Sequence, residues 1–180
     1  MHGLGGIWAK KNGLIENTIP ISFIGRIEKA QELARVIQKL DVEISSFNFD
    51  TILKFIKECP EKLKHRGPST VVHGDLHEQQ ILVDTGNNLC AIIDWGDAHI
   101  GPAGLDLAIV YTFLPSHLRK YFFEIYGPID KTTERLALCR GAHLSLWLIV
   151  YAYDIQDDYL IEEGIRGLHH IDEALKIIDF

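Results

Sequence analysis

The sequence predicts an α+β fold that is mostly helical and contains one small β-hairpin. Apolar residues recur every three or four positions in several segments, which is the period of an amphipathic helix. Two short apolar runs, 81–83 and 89–93, flank a Thr-Gly-Asn-Asn turn, and this arrangement is typical of a β-hairpin. The length of 180 residues suits one domain with a sizeable core.

The first 26 residues are mixed in composition and rich in glycine, and we interpret residues 1–26 as an N-terminal segment or linker. Three early glycines and Lys10 invite comparison with a phosphate-binding loop. Such a loop needs a preceding strand, which this segment does not offer. Residues 19–24 are one candidate strand.

The predicted domain covers residues 27–180 and begins with two helices. Residues 27–40 carry a single apolar stripe, and residues 49–63 are predicted to form a second helix that Pro60 kinks or ends. Helices are also predicted after the hairpin, over residues 103–114, 115–126, 131–153 and 157–178.

Composition argues against several classes of protein. The net charge of -7 disfavours nucleic-acid binding, which uses basic patches. The most apolar run, 144–153, is much shorter than the roughly 20 residues that a membrane span needs, and no signal-peptide pattern opens the chain. Cys59, Cys90 and Cys139 lack the spacing of metal ligands, so we interpret them as reduced thiols of a cytoplasmic protein.

Two acids, Asp75 and Asp94, each follow a short apolar run of β type. The predicted hairpin would bring the polar loop before its first strand close to Asp94, at the end of its second strand. Two carboxylates placed in this way are a plausible site for a shared divalent cation.

The residues around these acids resemble the aminoglycoside phosphotransferase and choline-kinase-like family of small-molecule kinases. That family carries His-Gly-Asp-x-x-x-x-Asn, a hairpin, Ile-Asp-Trp or Ile-Asp-Phe, and a small-residue loop that leads into Asp-Leu-Ala. Two departures are that Gln80 replaces the usual Asn and that the loop 101–104 lacks the Asp that usually follows its first Gly. The matching residues are His73, Gly74, Asp75, Gln80, Ile93, Asp94, Trp95, Asp106, Leu107 and Ala108.

The resemblance implies the C-terminal lobe of a protein-kinase-like fold, with the N-terminal ATP lobe absent. It also implies phosphorylation of a hydroxyl on a small molecule, such as an aminoglycoside or a macrolide, with ATP or GTP as co-substrate and Mg²⁺ as cofactor. The chain would then need the missing lobe or would self-associate, because the wall of the cleft that the lobe covers is expected to be partly apolar. The alternative is a non-catalytic remnant that binds a small ligand or a partner.

The resemblance also implies roles for the two acids. Phosphoryl transfer depends mainly on positioning and on neutralising the phosphate charge. Asp75 is expected to act as the catalytic base that orients the acceptor hydroxyl. Asp94 is expected to bind Mg²⁺ together with the amide oxygen of Gln80, whose longer side chain shifts the geometry relative to Asn.

Two further residues are expected to support the loop, and one histidine has two interpretations. His73 is expected to brace the loop, and Asp106, an acid in an apolar helix, to accept hydrogen bonds from its backbone N–H groups. His77 is either a phosphate or substrate contact or a plain loop residue. A rival hypothesis is that His73, Asp75 and His77 bind zinc for hydrolysis, although no other His or Cys cluster completes that site.

Three acids near the C-terminus, Asp154, Asp158 and Glu162, lie four residues apart. Like charges at this spacing destabilise a helix slightly. The resemblance implies that acids of the C-terminal helices hold a polyamine sugar, so these three are candidates for substrate binding. The alternative is that Asp157 and Asp158 cap the last helix and favour its positive end.

Overall fold

The computed structural model describes residues 21–40, 47–62 and 69–178. Within them the prediction of a mostly helical α+β fold with a small hairpin is confirmed. The elements in chain order are α1 (Ile21–Ile37), α2 (Phe49–Lys62), β1 (Ser69–Val72), β2 (Ile81–Val83), β3 (Leu89–Ile92), β4 (His99–Pro102), α3 (Gly104–Thr112), α4 (Ser116–Tyr126), α5 (Lys131–Ile155) and α6 (Asp158–Ile177).

The start of the chain differs from one expectation. Helix α1 begins at Ile21, so the candidate strand over residues 19–24 is wrong for residues 21–24. Ile21, Ile24 and Ile27 continue the three-residue spacing of the apolar stripe upstream, and this spacing favours a helix. The glycines and Lys10 that were compared with a phosphate-binding loop lie outside the described residues.

Helix α5 forms the centre of the core and packs against α1, α2, α3 and α6. Asp130 begins it, because its carboxylate accepts hydrogen bonds from the N–H groups of Thr132 and Thr133. By length and composition α5 would be able to cross a membrane. However, 61% of its apolar window is buried inside the fold, as in the central helix of a globular protein.

Four short strands in the described residues form two separate antiparallel pairs. The predicted hairpin is present, with Ile81 opposite Ile92. The other pair joins β1 to β4, with Val72 opposite His99. Strand β4 includes Gly101 and Pro102, the first half of the small-residue loop 101–104 that the sequence suggested. These pairs place the ends of β1 and β3 and the start of α3 in one region of the molecule.

The cysteine interpretation is wrong for two of the three residues. Cys59 and Cys139 form a disulfide, and both are buried, whereas Cys90 is free and exposed. The packing of α2 against α5 brings together two cysteines that are separated by 80 residues in the sequence. No local spacing signals such a pair.

Candidate active site

The loop that follows β1 is held in place by Asp106 at the start of α3. One oxygen of Asp106 accepts a hydrogen bond from the N–H of His73 at 2.7 Å, and the other accepts one from Gly74 at 2.9 Å. Burial raises the pKa of Asp106, while these two hydrogen bonds oppose the rise. These are the contacts expected of an acid in an apolar helix, and they fix the backbone immediately before Asp75.

Gly74 is required in this loop by both conformation and space. Its φ of +89° lies in the region that side-chain-bearing residues rarely adopt. A Cβ on Gly74 would also lie 2.6 Å from the carbonyl oxygen of Asp97. The loop before Asp75 therefore packs directly on the loop after Asp94.

His73 connects the two loops that carry the predicted site acids. Its buried ring donates through Nε2 to the carbonyl oxygen of Ile93 at 2.9 Å, and it packs against Trp95 with ring centroids 4.8 Å apart. Asp94, between these two contacts, has φ 63° and ψ 56°. This left-handed conformation costs free energy for a residue other than glycine, and such residues concentrate at functional sites.

Asp75 forms an ion pair that the sequence did not indicate. Its Oδ1 accepts a hydrogen bond from Arg140 of α5 at 2.9 Å, and the same guanidinium nitrogen lies 3.4 Å from the carbonyl oxygen of Gly74. The Arg140 side chain is only 5% exposed, whereas that of Asp75 is 43% exposed. One carboxylate oxygen of Asp75 is therefore anchored to the core, while the side chain remains accessible to solvent.

Of the two residues expected to hold Mg²⁺, Asp94 is better suited to that role than Gln80. Asp94 is exposed and its carboxylate is a suitable magnesium ligand. Gln80 is 5% exposed, and its amide oxygen accepts a hydrogen bond from the N–H of His77 at 3.0 Å. The Gln80 oxygen thus already stabilises the turn at residues 78–80.

The structure does not bring together the ligands of the rival zinc site. The part of the chain that the structure describes contains no group of three or more His, Cys, Asp or Glu residues arranged to hold a metal ion. His73 uses Nε2 to contact Ile93, and Asp75 is paired with Arg140.

A cavity of about 240 Å³ lies beside the loop that follows Asp75. His77 is in its wall, so the histidine is placed where a substrate contact is feasible. The other wall residues come mainly from the same loop and from α3, α5 and α6. They are Glu78, Gln79, Thr112, Phe113, Leu144, Ser145, Trp147, Leu148, Tyr151, Leu160 and Glu163.

The three C-terminal acids selected from the sequence lie elsewhere. Asp154, Asp158 and Glu162 are exposed and do not line this cavity. Asp157 caps α6 by accepting a hydrogen bond from the N–H of Leu160 at 3.1 Å, in agreement with the capping alternative. The acid that α6 contributes to the cavity is Glu163.

Comparison with known proteins identifies the family. A family model described as a phosphotransferase enzyme family, APH, matches residues 24–139, which is more than half of the chain. The chain belongs to this phosphotransferase family. The matched range includes both loops and Asp106, and it ends just before Arg140.

Relatives of this phosphotransferase-family chain are distant in sequence. The uncharacterized protein YcbJ of Bacillus subtilis (strain 168) is 25% identical over 155 residues, which cover 86% of this chain and 47% of YcbJ. The chain therefore spans about half the length of this curated relative.

Solved structures share the fold. Aminoglycoside 2'-phosphotransferase-IIIa, in its GDP complex, matches 96% of this chain and 57% of its own at 17% identity, with a TM-score of 0.56. The choline kinase LicA from Streptococcus pneumoniae matches 88% of this chain and 57% of its own at 18% identity, with a TM-score of 0.52. At these identities the likeness establishes the fold alone.

Sequence reasoning missed Arg140, Glu78 and Glu163 in this phosphotransferase-family chain. Arg140 had a usable signal, because a charged residue inside an apolar helix must find a partner, as was argued for Asp106. No sequence signal pointed to Glu78 and Glu163, because the cavity that they share forms only when α6 packs beside the loop.

Proposed function

We propose that this chain supplies the catalytic loop and the acceptor pocket of a kinase that phosphorylates a hydroxyl on a small molecule. The observation that carries the proposal is the state of Asp75. The side chain is accessible, one oxygen is anchored to Arg140, and a cavity opens two residues further along the loop. Membership of the phosphotransferase family supports the same reaction class.

In the proposed reaction the acceptor hydroxyl donates a hydrogen bond to the accessible side of Asp75. The hydroxyl oxygen forms a bond to the γ-phosphorus of ATP or GTP, the bond from that phosphorus to the β,γ-bridging oxygen breaks, and the nucleoside diphosphate leaves. The hydroxyl proton passes to Asp75. Arg140 holds the carboxylate in one orientation, and Asp106 holds the backbone that carries it.

A bound Mg²⁺ would neutralise charge on the phosphate oxygens. Asp94 is the residue that we propose as its protein ligand, since it is exposed two residues after β3. We also propose Gln80 as a second ligand. Its amide oxygen has two lone pairs, and the hydrogen bond from the N–H of His77 uses one of them.

We propose further that nucleotide binding is shared with a second lobe or subunit. Several large apolar side chains of the hairpin region are exposed, which is expected of a surface that another lobe covers. They include Leu82, Val83, Leu89, Ile93 and Trp95. On this proposal the 180 residues bind nucleotide weakly when they are alone.

Two assays test these proposals separately. Incubating the 180-residue chain with Mg²⁺, labelled ATP or GTP and a panel of aminoglycosides, macrolides and small alcohols should give no transfer, and robust transfer would refute the shared-lobe proposal. In the active phosphotransferase reconstituted from this chain and the second lobe or subunit, Asp75→Asn should lower kcat roughly 10²–10⁴-fold. Asp50→Asn, an exposed acid on α2, should leave it unchanged. Equal kcat in wild type and Asp75→Asn would exclude Asp75 as the base.

A second candidate function is a non-catalytic lobe that binds a small ligand. The hydrogen bond from His77 to the Gln80 oxygen favours it, as does Pro102 in the loop position where the family usually has Asp. Gln80→Asn distinguishes the two candidates. A gain in Mg²⁺ affinity would indicate that the present site is weakened, and no gain would favour the catalytic proposal.

A further inference from the structure

Helix α5 carries Cys139 and Arg140 at consecutive positions, and their side chains connect to different parts of the molecule. Cys139 is bonded to Cys59 of α2, and both cysteines are buried. Arg140 donates a hydrogen bond to Oδ1 of Asp75 at 2.9 Å. Because successive residues of a helix point about 100° apart, one segment of α5 contacts both α2 and the loop after β1. The disulfide is therefore one residue away from the group that holds Asp75.

Two of the contacts between α2 and α5 lie one helical turn apart. The guanidinium carbon of Arg135 lies 5.4 Å from the centroid of the Phe55 ring, and the disulfide joins Cys139 to Cys59. On each helix the two residues involved are four positions apart, so they lie on one face. The disulfide is the covalent contact of the two, and it is the one nearer to Arg140.

The segment around Arg140 is also packed closely on its other side. Gly141 lies against α3, where a Cβ at position 141 would be 2.9 Å from Cγ2 of Thr112. Arg140 thus lies between a residue that is bonded to α2 and a residue that is packed on α3. Breaking the disulfide removes the first of these two constraints, from the residue immediately before Arg140.

Opening the disulfide changes the spacing of α2 and α5 at this point. Two separate thiol sulfurs pack at van der Waals distance, which is longer than the distance of a covalent bond. In the reduced protein Cys59 and Cys139 must therefore move apart within a buried and closely packed region. The hydrogen bond of 2.9 Å between Arg140 and Asp75 tolerates little movement, because such bonds have a usual range of about 2.7–3.2 Å.

Cys59 is the sulfur that a reductant reaches first. It lies in the last turn of α2, which ends at Lys62, whereas Cys139 lies well inside α5. Helix ends open locally at a lower free energy than helix centres. Pro60 follows Cys59 and has no N–H to donate, so this turn lacks one helical hydrogen bond. Local opening at the end of α2 therefore exposes the disulfide without unfolding α5.

We propose that Cys59 and Cys139 form a thiol–disulfide switch that controls how firmly Arg140 holds Asp75. In the oxidised protein Arg140 fixes the carboxylate in the orientation described above, and in the reduced protein this contact is lost. The consequence for catalysis, that the oxidised form is the more active one, rests on the proposed function.

The reductant of this switch is a dithiol. One of its thiolates attacks the sulfur of Cys59, the bond between the two cysteines breaks, and Cys139 leaves as a thiolate that takes up a proton. The second thiol of the reductant loses its proton and displaces Cys59 from the mixed disulfide, and Cys59 is protonated in turn. Two electrons and two protons thus pass to the protein, and the reductant becomes an intramolecular disulfide.

The first test measures the coupling of Asp75 to Arg140 in both redox states of the 180-residue chain. Thiol titration under denaturing conditions should find one thiol in the air-oxidised protein and three after treatment with dithiothreitol. Urea unfolding of the cycle Asp75→Ala and Arg140→Met should show coupling in the oxidised protein and additivity within error in the reduced protein. The effect of the disulfide on overall stability cancels in each cycle, because all four proteins share it.

Three results of this test would overturn the inference. One is equal coupling in the two redox states, and another is three thiols in the air-oxidised protein. The third is a reduced protein that no longer unfolds cooperatively, because the disulfide would then be required for the fold and would not act as a switch.

The second test assigns the cysteines. Cys59→Ala should give additivity with or without dithiothreitol, because the disulfide cannot form. Cys90→Ala removes the exposed free thiol and is the matched control, so its coupling should still respond to dithiothreitol. Loss of the response in Cys90→Ala, or its persistence in Cys59→Ala, would refute the assignment.

Failure of this inference and failure of the proposed function give different results. In the active phosphotransferase reconstituted from this chain and the second lobe or subunit, oxidation should raise kcat roughly 10–10²-fold and leave the KM for nucleotide unchanged. Redox-dependent coupling without phosphate transfer in either state would support the switch and count against the kinase reaction. Transfer at equal rates in both states would support the kinase reaction and refute the switch.

Discussion

The ion pair between Asp75 and Arg140 leads to a prediction about stability that follows from its asymmetric burial. Arg140 is buried and Asp75 is 43% exposed, so water can replace Arg140 around Asp75 but cannot easily replace Asp75 around Arg140. Removing the acid should therefore cost more than removing the base. Asp75→Ala leaves a buried cation with fewer partners, whereas Arg140→Met substitutes an apolar side chain of similar length.

The expected magnitudes come from the geometry of the pair. A hydrogen bond to a charged group contributes about 1.5–3 kcal/mol, and the exposure of Asp75 places this one at the lower end. Asp75→Ala should thus lower the free energy of unfolding by about 1–2 kcal/mol, and Arg140→Met by less than about 1 kcal/mol. The double variant should resemble Arg140→Met, so the coupling free energy should equal the cost of Asp75→Ala, about 1–2 kcal/mol.

Urea unfolding followed by tryptophan fluorescence measures all four proteins of the cycle. Asp97→Ala combined with Arg140→Met is the matched control, because Asp97 is an exposed acid of the neighbouring loop and is not paired with Arg140. Its coupling should lie within the error of additivity, about 0.3–0.5 kcal/mol. The reasoning is refuted if the Asp75–Arg140 coupling is that small, or if Arg140→Met costs more than Asp75→Ala.

Three further outcomes are expected. Gly74→Ala should lower the free energy of unfolding by at least about 2 kcal/mol, because it combines positive-φ strain with a clash against the Asp97 carbonyl. A loss below about 0.5 kcal/mol in urea unfolding would contradict this geometry. Burial raises the pKa of Asp106, so just above pH 3.8 the native state binds more protons than the unfolded chain and loses stability as the pH rises. The stability advantage of wild type over Asp106→Asn should therefore shrink from acidic to neutral pH, and an advantage that grows with pH would contradict this reasoning. Burial lowers the pKa of His170, so the stability that depends on its neutral ring is present above about pH 6.5 and is lost as the pH falls, with a slope of at most about 1.4 kcal/mol per pH unit. His170→Gln should flatten the plot of unfolding free energy against pH below about pH 6.5.

Helices α4, α5 and α6 were predictable because their signals are local. Pro115 precedes α4, Asp130 caps α5 and Asp157 caps α6, and each boundary agrees with the sequence prediction within two residues. The hairpin is equally local, because its turn residues and flanking apolar runs are adjacent in the sequence. The contact between Asp106 and the loop at His73 could be anticipated for a different reason, since a buried acid must find donors.

The features that the sequence did not reveal depend on contacts between distant segments. Strand β4 consists of His-Ile-Gly-Pro, which has little strand character by itself and is stabilised by pairing with β1. The disulfide joins cysteines that are 80 residues apart, and the Asp75–Arg140 pair joins residues that are 65 apart. In each case the partner is selected by the packing of helices and strands, which no short window of sequence contains.

The choice between Glu162 and Glu163 depends on how closely α6 approaches α5. A Cβ on Gly164 would lie 2.9 Å from the carbonyl oxygen of Ser145, so the two helices can pack at this distance only because residue 164 is glycine. The sequence shows Gly164 only as a weak point in a helix, yet the glycine fixes which side of α6 meets α5. Adjacent helical residues point about 100° apart. Once Gly164 is buried against Ser145, Glu163 lies at the cavity and Glu162 is exposed to solvent. This interhelical contact thus helps to determine which carboxylate lines the cavity, and a sequence pattern of acids four residues apart cannot supply that information.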